Sequence, residues 1–200
     1  MFRRLLLAGA TVALTAPAVA AGSGNPFLER LVGGLDRREK SFACFSRQYD
    51  DAHLAAHPEQ KVAYMKMLVK AYYNEAFPPS APGSYAYQVS LAFRLKDRPE
   101  TLTQVAECGG RKDSRIRGAY CAGPGDKGAH LTLDGKDAIV IAIRGGADLW
   151  APGPIDQRHD TVKNPFGSDD KAFRLMRAGL KECEDLAFDA DKPLRAREPR

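Results

Sequence analysis

Past residue 20 the chain has no apolar run long enough to cross a bilayer, so the rest of it is expected to carry no membrane span. It also lacks the signatures of the common enzyme classes. There is no Gly-x-Ser-x-Gly elbow, no His-Glu-x-x-His and no Gly-Lys-Ser/Thr phosphate loop. The four cysteines include no Cys-x-x-Cys pair, which argues against a structural zinc site. Charge of one sign is scarce. The formal net charge is +5, two units of it come from Arg3 and Arg4, and the remainder is dispersed, giving no footprint for nucleic acid.

What is present begins with Met1 to Ala20. Arg3 and Arg4, the mostly apolar stretch Leu5 to Leu14, and Ala18-Val19-Ala20 read as a removable secretory leader. The expected location is the periplasm or the outside of the cell. With 44% apolar and 28% charged residues, the remainder suits one globular domain. Residues 21–40 are expected to form a lead-in with a short helix, residues 41–188 a single β-rich domain, and residues 189–200 a frayed, charged tail.

Cys44, Cys108, Cys121 and Cys183 are even in number, and an oxidising compartment favours two bridges. Spacing alone permits three pairings. The pairing expected is Cys108–Cys121, closing a hairpin-like loop worth about 3 kcal/mol, with Cys44–Cys183 tying the domain ends at roughly 5 kcal/mol.

Leu28, Leu31 and Leu35 predict a short helix from Phe27 to Leu35, stopped by Gly33-Gly34. Residues 41–57 show no clear period and end at His57-Pro58. From Val62 to Tyr73 helical and alternating patterns fit equally well. Tyr85, Tyr87, Val89, Leu91, Phe93 and Leu95 alternate strictly and predict a strand, turned at Asp97-Arg98-Pro99-Glu100 into a partner from Thr101 to Cys108. Ile116–Cys121 is a further strand, and Asp134-Gly135 marks a hairpin between His130–Leu133 and Ala138–Ile143. Trp150 to Ser168 is dense in Pro, Gly and Asp and predicts an irregular connection. A last strand at Ala172–Met176 and a terminal helix at Ala178–Leu186 complete a mainly β fold. The expected architecture is an antiparallel barrel or sandwich with short N- and C-terminal helices, braced by two disulfides.

Several residues invite chemistry. His53 and His57, four apart behind Asp50 and Asp51, would put two imidazoles on one helix face, as a zinc site needs. No Glu lies between them, and a third ligand from His130, His159 or Asp156 could be chosen only by elimination. The structural alternative places His57 at a turn before Pro58, bonding backbone. Asp156-Gln157-Arg158-His159-Asp160 sets an imidazole beside carboxylates, without a companion nucleophile. Gly123-Pro124-Gly125-Asp126-Lys127-Gly128 leads into a strand and reads as a turn. Arg111, Lys112, Arg115 and Arg117 form a basic cluster suited to an acidic partner or to plain solvation. Tyr64, Tyr72, Tyr85, Tyr87 and Trp150 are pocket candidates, Trp150 because it stands beside Pro152-Gly153-Pro154.

The stretch Phe42-Ala43-Cys44-Phe45-Ser46-Arg47-Gln48-Tyr49-Asp50, continuing to His53-Leu54-Ala55-Ala56-His57-Pro58-Glu59-Gln60, resembles a group of exported proteobacterial proteins without known activity. In that group a Cys, a Tyr-Asp, a His-Leu and a His-Pro-x-Gln precede a strand. The resemblance implies that Val62–Leu68 is a strand. It extends to Cys108, Cys121, Asp169-Asp170-Lys171-Ala172-Phe173-Arg174-Leu175 and Cys183. Where the group often has Cys-Asp-Gly-Gly, this chain has Gly125-Asp126-Lys127-Gly128. The resemblance brings no cofactor and no catalytic residue.

Two expectations from different classes follow. The first is a non-enzymatic binding module for a small molecule, an envelope component or a protein partner. It has no cofactor, no resident metal and no nucleic-acid partner, and its candidate binding residues are Tyr49, His53, His57, Gln60, Trp150, Arg111, Arg115 and Arg117. The alternative is a metal-assisted hydrolase using His53 and His57.

Overall fold

The structure, a computed structural model, describes residues 26–76, 85–109, 118–122, 127–150 and 160–195. Its core is a closed antiparallel β-barrel. The strands are β1 (Ser41–Gln48), β2 (Val62–Tyr73), β3 (Tyr85–Leu95), β4 (Thr101–Gly109), β5 (Gly118–Ala122), β6 (Gly128–Asp134), β7 (Ala138–Arg144), β8 (Asp148–Trp150), β9 (Thr161–Lys163) and β10 (Ala172–Ala178). Around the barrel the order is β3-β2-β1-β10-β7-β6-β5-β4, and β4 returns to β3. The outer edge of β4 is divided. Glu107–Gly109 pair with β5, whereas Thr103 pairs with Trp150 of β8, which continues to β9.

Alternation makes the interior. Met65, Met67, Val69 and Ala71 of β2 and Tyr87, Val89, Leu91, Phe93 and Leu95 of β3 all point inward and are buried. They meet Phe45, Leu102, Leu131, Ile139, Ile141, Phe173 and Leu175 from the other walls. Side chains fill this interior, as expected for eight strands. One rung, Ser41–Ala71–Tyr87–Cys108–Cys121–Ala129–Ile143, runs through seven successive strands. The alternating reading of Val62–Tyr73 is therefore the correct one. The hairpin turns at 97–100 and 134–135 also stand where expected, Gly135 taking a left-handed φ of 72°.

Both disulfides form in the expected pairing. Cys108 and Cys121 face each other across β4 and β5 with Cα atoms 4.0 Å apart. Cys44 on the outer face of β1 joins Cys183, with Cα atoms 5.8 Å apart. Cys183 lies in a 3-10 helix, Leu180–Leu186, that covers a second apolar cluster of Cys44, Leu68, Ala92, Leu186 and Ala187 outside the barrel. Acids on this arm match bases on β2. Lys66 bonds Asp185 at 2.6 Å, and Asp191 pairs with both Lys70, at 3.0 Å, and Lys40. The Tyr64 hydroxyl donates to Glu182 at 3.0 Å, and burial together with that bond pushes its pKa up to about 12.

Several boundaries differ from expectation, each for a tertiary reason. The first helix, α1, spans Pro26–Val32 and ends at Gly33. Residues 41–48, which show no period, form β1, because its outward Cys44 is buried under the arm as fully as inward Phe45. A second helix, α2, spans Asp51–Ala56. The irregular connection from Trp150 contains β9, and the terminal helix is a 3-10 helix beginning at Leu180, since β10 runs on to Ala178. The chain after Asp189 begins as a 3-10 turn, Asp189–Asp191, anchored by the buried Asp191 carboxylate, rather than as a frayed tail. Among the described residues no helix is long and apolar enough to cross a membrane.

Candidate functional site

The barrel has two unlike ends. At the first, β1 exits through Tyr49 and β2 begins at Val62. The link between them carries Tyr49, His53, His57 and Gln60, so the fold does bring these four residues together. Asp50 caps α2 by accepting the His53 backbone N–H at 2.8 Å. The ring of Tyr49 stacks on His53 at 4.6 Å, and His53 meets His57 at 4.5 Å. His53 Nε2 lies 3.1 Å from Gln60 Oε1, and Gln60 Nε2 donates to the Val62 carbonyl at 2.7 Å. Burial raises the pKa of the Tyr49 phenol, against the nearby Arg47 cation.

Asp170 completes this end. Its carboxylate is buried and accepts backbone N–H groups from Lys61 at 2.8 Å, Gly167 at 2.9 Å and Val62 at 3.3 Å. It thereby ties the segment before β10 to the start of β2. The approach is close enough that a Cβ at Gly167 would fall 1.6 Å from the Glu59 carbonyl oxygen. Phe166 then packs edge-on against Phe93, 5.4 Å between ring centres, closing the core. Among the described residues no group of three or more His, Cys, Asp or Glu side chains is placed to hold a metal ion.

The opposite end is the barrel mouth. α1 packs against it, burying Phe27, Leu28, Leu31 and Val32, with the Phe27 ring 6.5 Å from that of Tyr87. The guanidinium of Arg177 donates to the Leu31 carbonyl at 3.0 Å, and Arg30 donates to the Gly135 carbonyl at 3.2 Å. Gly33 and Gly34, with φ of 79° and 128°, then turn the chain back toward β1. Between this turn and the last rung of β2 and β3 lies an open cleft of about 580 Å³, lined by Leu35, Asp36, Arg37, Arg38, Tyr73, Glu75 and Tyr85. Tyr73 and Tyr85 pair across the strands and meet edge-to-face, 5.6 Å between centres and 72° between planes. Arg37 sits 4.8 Å from the centre of the Tyr73 ring.

The remaining candidates do not gather at either end. Trp150 is the last residue of β8, buried and paired with Thr103 and Thr161, and so does not stand in a loop. Tyr64 and Tyr72 lie on the outer face of β2, apart from Tyr85 at the mouth and Tyr87 inside. His130 is on the outer face of β6, 5.1 Å from the Tyr120 ring, its pKa lowered by burial and by the charge of Arg144. Arg111, Lys112, Arg115 and Arg117 lie outside the described residues, as do Asp156, Gln157, Arg158 and His159. Lys127 of the glycine-rich turn bonds Asp148 at 2.6 Å.

Of the mouth set the sequence singled out Tyr85 alone as a pocket candidate. Leu35 was expected in the first helix, and only the closed topology brings Asp36, Arg37 and Arg38 to Tyr73 and Tyr85. The pairing of two tyrosines at one end of two alternating strands was the available signal. No family model, curated protein or solved structure matches this chain.

Proposed function

We propose that this chain is an exported, disulfide-braced β-barrel that acts as a binding module for a small molecule or an envelope component, engaged at the barrel mouth. The cleft carries this reading. Its volume, about 580 Å³, is large enough to admit a small molecule, and it joins two tyrosine rings to charged side chains of both signs. Because the interior is filled with side chains, a ligand binds at the rim. Export is supported by the leader-like residues 1–20 and by both cysteine pairs being oxidised, since disulfides persist outside the reducing cytosol.

The test is a thermal-shift and calorimetric screen of the mature chain against envelope glycans, phospholipids and lysozyme. A true ligand at one hundred times its Kd adds about 2.7 kcal/mol, or about 5–10 °C in Tm for a domain of this size. Tyr85→Ala is expected to abolish the shift. A flat response across the whole set, together with turnover of any member, refutes the proposal.

A further inference from the structure

Granted that a ligand enters at the mouth, we infer that the cleft is a carbohydrate site, taking a short uncharged oligosaccharide. Charge is the first argument. Asp36 and Glu75 balance Arg37 and Arg38, so the four charged side chains among those lining the cleft cancel formally. Such a set offers no net field to an anionic headgroup or to a cation. It does offer carboxylates, which only accept hydrogen bonds, beside guanidinium groups, which only donate them. Vicinal sugar hydroxyls do both, and use the two kinds together.

The aromatic pair is the second argument. Tyr73 and Tyr85 are half-buried and perpendicular, which sets one ring edge and one ring face at a corner of the cleft. An aromatic face is electron-rich, and the C–H groups on one side of a pyranose ring present the complementary positive surface. The Arg37 guanidinium lies over the Tyr73 ring and donates to the Tyr73 hydroxyl at 3.5 Å, so the sugar seats on the Tyr85 side, and the remaining N–H groups of Arg37 are left for its hydroxyls.

Preorganisation is the third. The tyrosines belong to the last paired rung of two long strands, and the Arg38 backbone N–H bonds Asp36 Oδ1 at 2.9 Å, which fixes the turn carrying both arginines. Weakly held hydroxyl contacts yield useful affinity only when the protein side is already ordered.

The experiment titrates the full mature chain with cellotetraose, maltotetraose and tetra-N-acetylchitotetraose, and in parallel with dihexanoylphosphatidylglycerol and inorganic phosphate. Saturable binding is expected for at least one oligosaccharide, tightening with chain length and unchanged between 50 mM and 500 mM salt. Arg37→Ala, an exposed position, is expected to weaken it at least tenfold, as is Tyr85→Ala. Tyr64→Ala on the outer face leaves it unchanged, and circular dichroism confirms that each variant is folded. If only the lipid or phosphate binds, with an affinity that falls as salt rises and is lost in Arg37→Ala, the carbohydrate inference is overturned while the binding module stands. If no arm binds, the carbohydrate inference is overturned, and the binding module is decided by the wider envelope screen.

Discussion

Asp170 offers the sharpest test of how the sealed end of the barrel is held. One buried carboxylate accepts three backbone N–H groups, those of Lys61, Val62 and Gly167. In Asp170→Ala all three donors lose their partner at a site where Asp170 itself is only 4% exposed. An orphaned buried donor costs about 1–3 kcal/mol, and the three share one site and do not simply add. The expected loss is about 3–5 kcal/mol. With a urea slope of about 2 kcal/mol/M, the unfolding midpoint falls by roughly 2 M at unchanged slope. Asp170→Asn keeps one carbonyl acceptor and turns an amide donor toward the others, so it is expected to recover less than half of the loss. Hydrogen exchange supplies the local readout, with protection lost first at Lys61, Val62 and Gly167. A loss below about 1 kcal/mol in Asp170→Ala, or protection retained at those amides, refutes the role assigned to this carboxylate.

The two disulfides are expected to differ in worth. Removing Cys44–Cys183, with a sequence separation of 139, costs about 5 kcal/mol and removing Cys108–Cys121, with a separation of 13, about 3 kcal/mol in the chain-entropy account. Equal midpoints for the two paired Cys→Ala variants in urea would contradict that ranking. The Tyr87 hydroxyl is buried with no hydrogen-bond partner among the described residues, and burial drives its pKa well above the usual tyrosine value. Tyr87→Phe is therefore expected to raise stability by about 1 kcal/mol, and a measured loss of that size would show that the hydroxyl is satisfied. Burial alone would raise the Asp191 carboxyl, but hydrogen bonds from Lys40 and Lys70 outweigh it and hold the group below the ordinary value of about 3.9. With the folded pKa depressed, this contribution is full above the unfolded value and fades as pH falls through the folded one. Hydrogen exchange across 180–191 should accelerate below about pH 4, and protection that persists there counts against the ion pairs as the clasp.

β3 was legible because its inward positions are large and apolar while its outward ones, Gln88, Ser90, Ala92 and Arg94, are small or polar, even though Ser90 and Ala92 are themselves buried, and the 134–135 hairpin carries its own turn chemistry. β1 was not legible because both of its faces are covered, one by the barrel and one by the disulfide-tethered arm. β8 and β9 have three residues each and exist because the divided edge of β4 offers β8 a partner and β8 in turn offers one to β9, which no local pattern encodes. Tyr73 and Tyr85 were visible as alternating positions. That they end at a mouth beside Arg37 follows only from closure of the sheet.

The segment that looked most chemical in the sequence, Tyr49 to Gln60, sits at the opposite end of β2 from the cleft, and its polar groups answer one another. Asp50 is engaged by the His53 backbone, His53 by Gln60, and Gln60 by the Val62 carbonyl. Side chains whose hydrogen bonds are already made within a turn have little left with which to recognise a ligand. They are well suited to closing a barrel end that hydrophobic residues alone would leave with unpaired backbone groups. At the mouth α1 supplies the apolar closure, and Arg37, Arg38 and Glu75 are exposed, with Arg37 over the Tyr73 ring and donating to its hydroxyl at 3.5 Å and the Arg38 backbone bonded to Asp36. Under the proposed function recognition lies at the mouth, and the hydrogen bonds of the histidine segment serve to close the far end of the barrel.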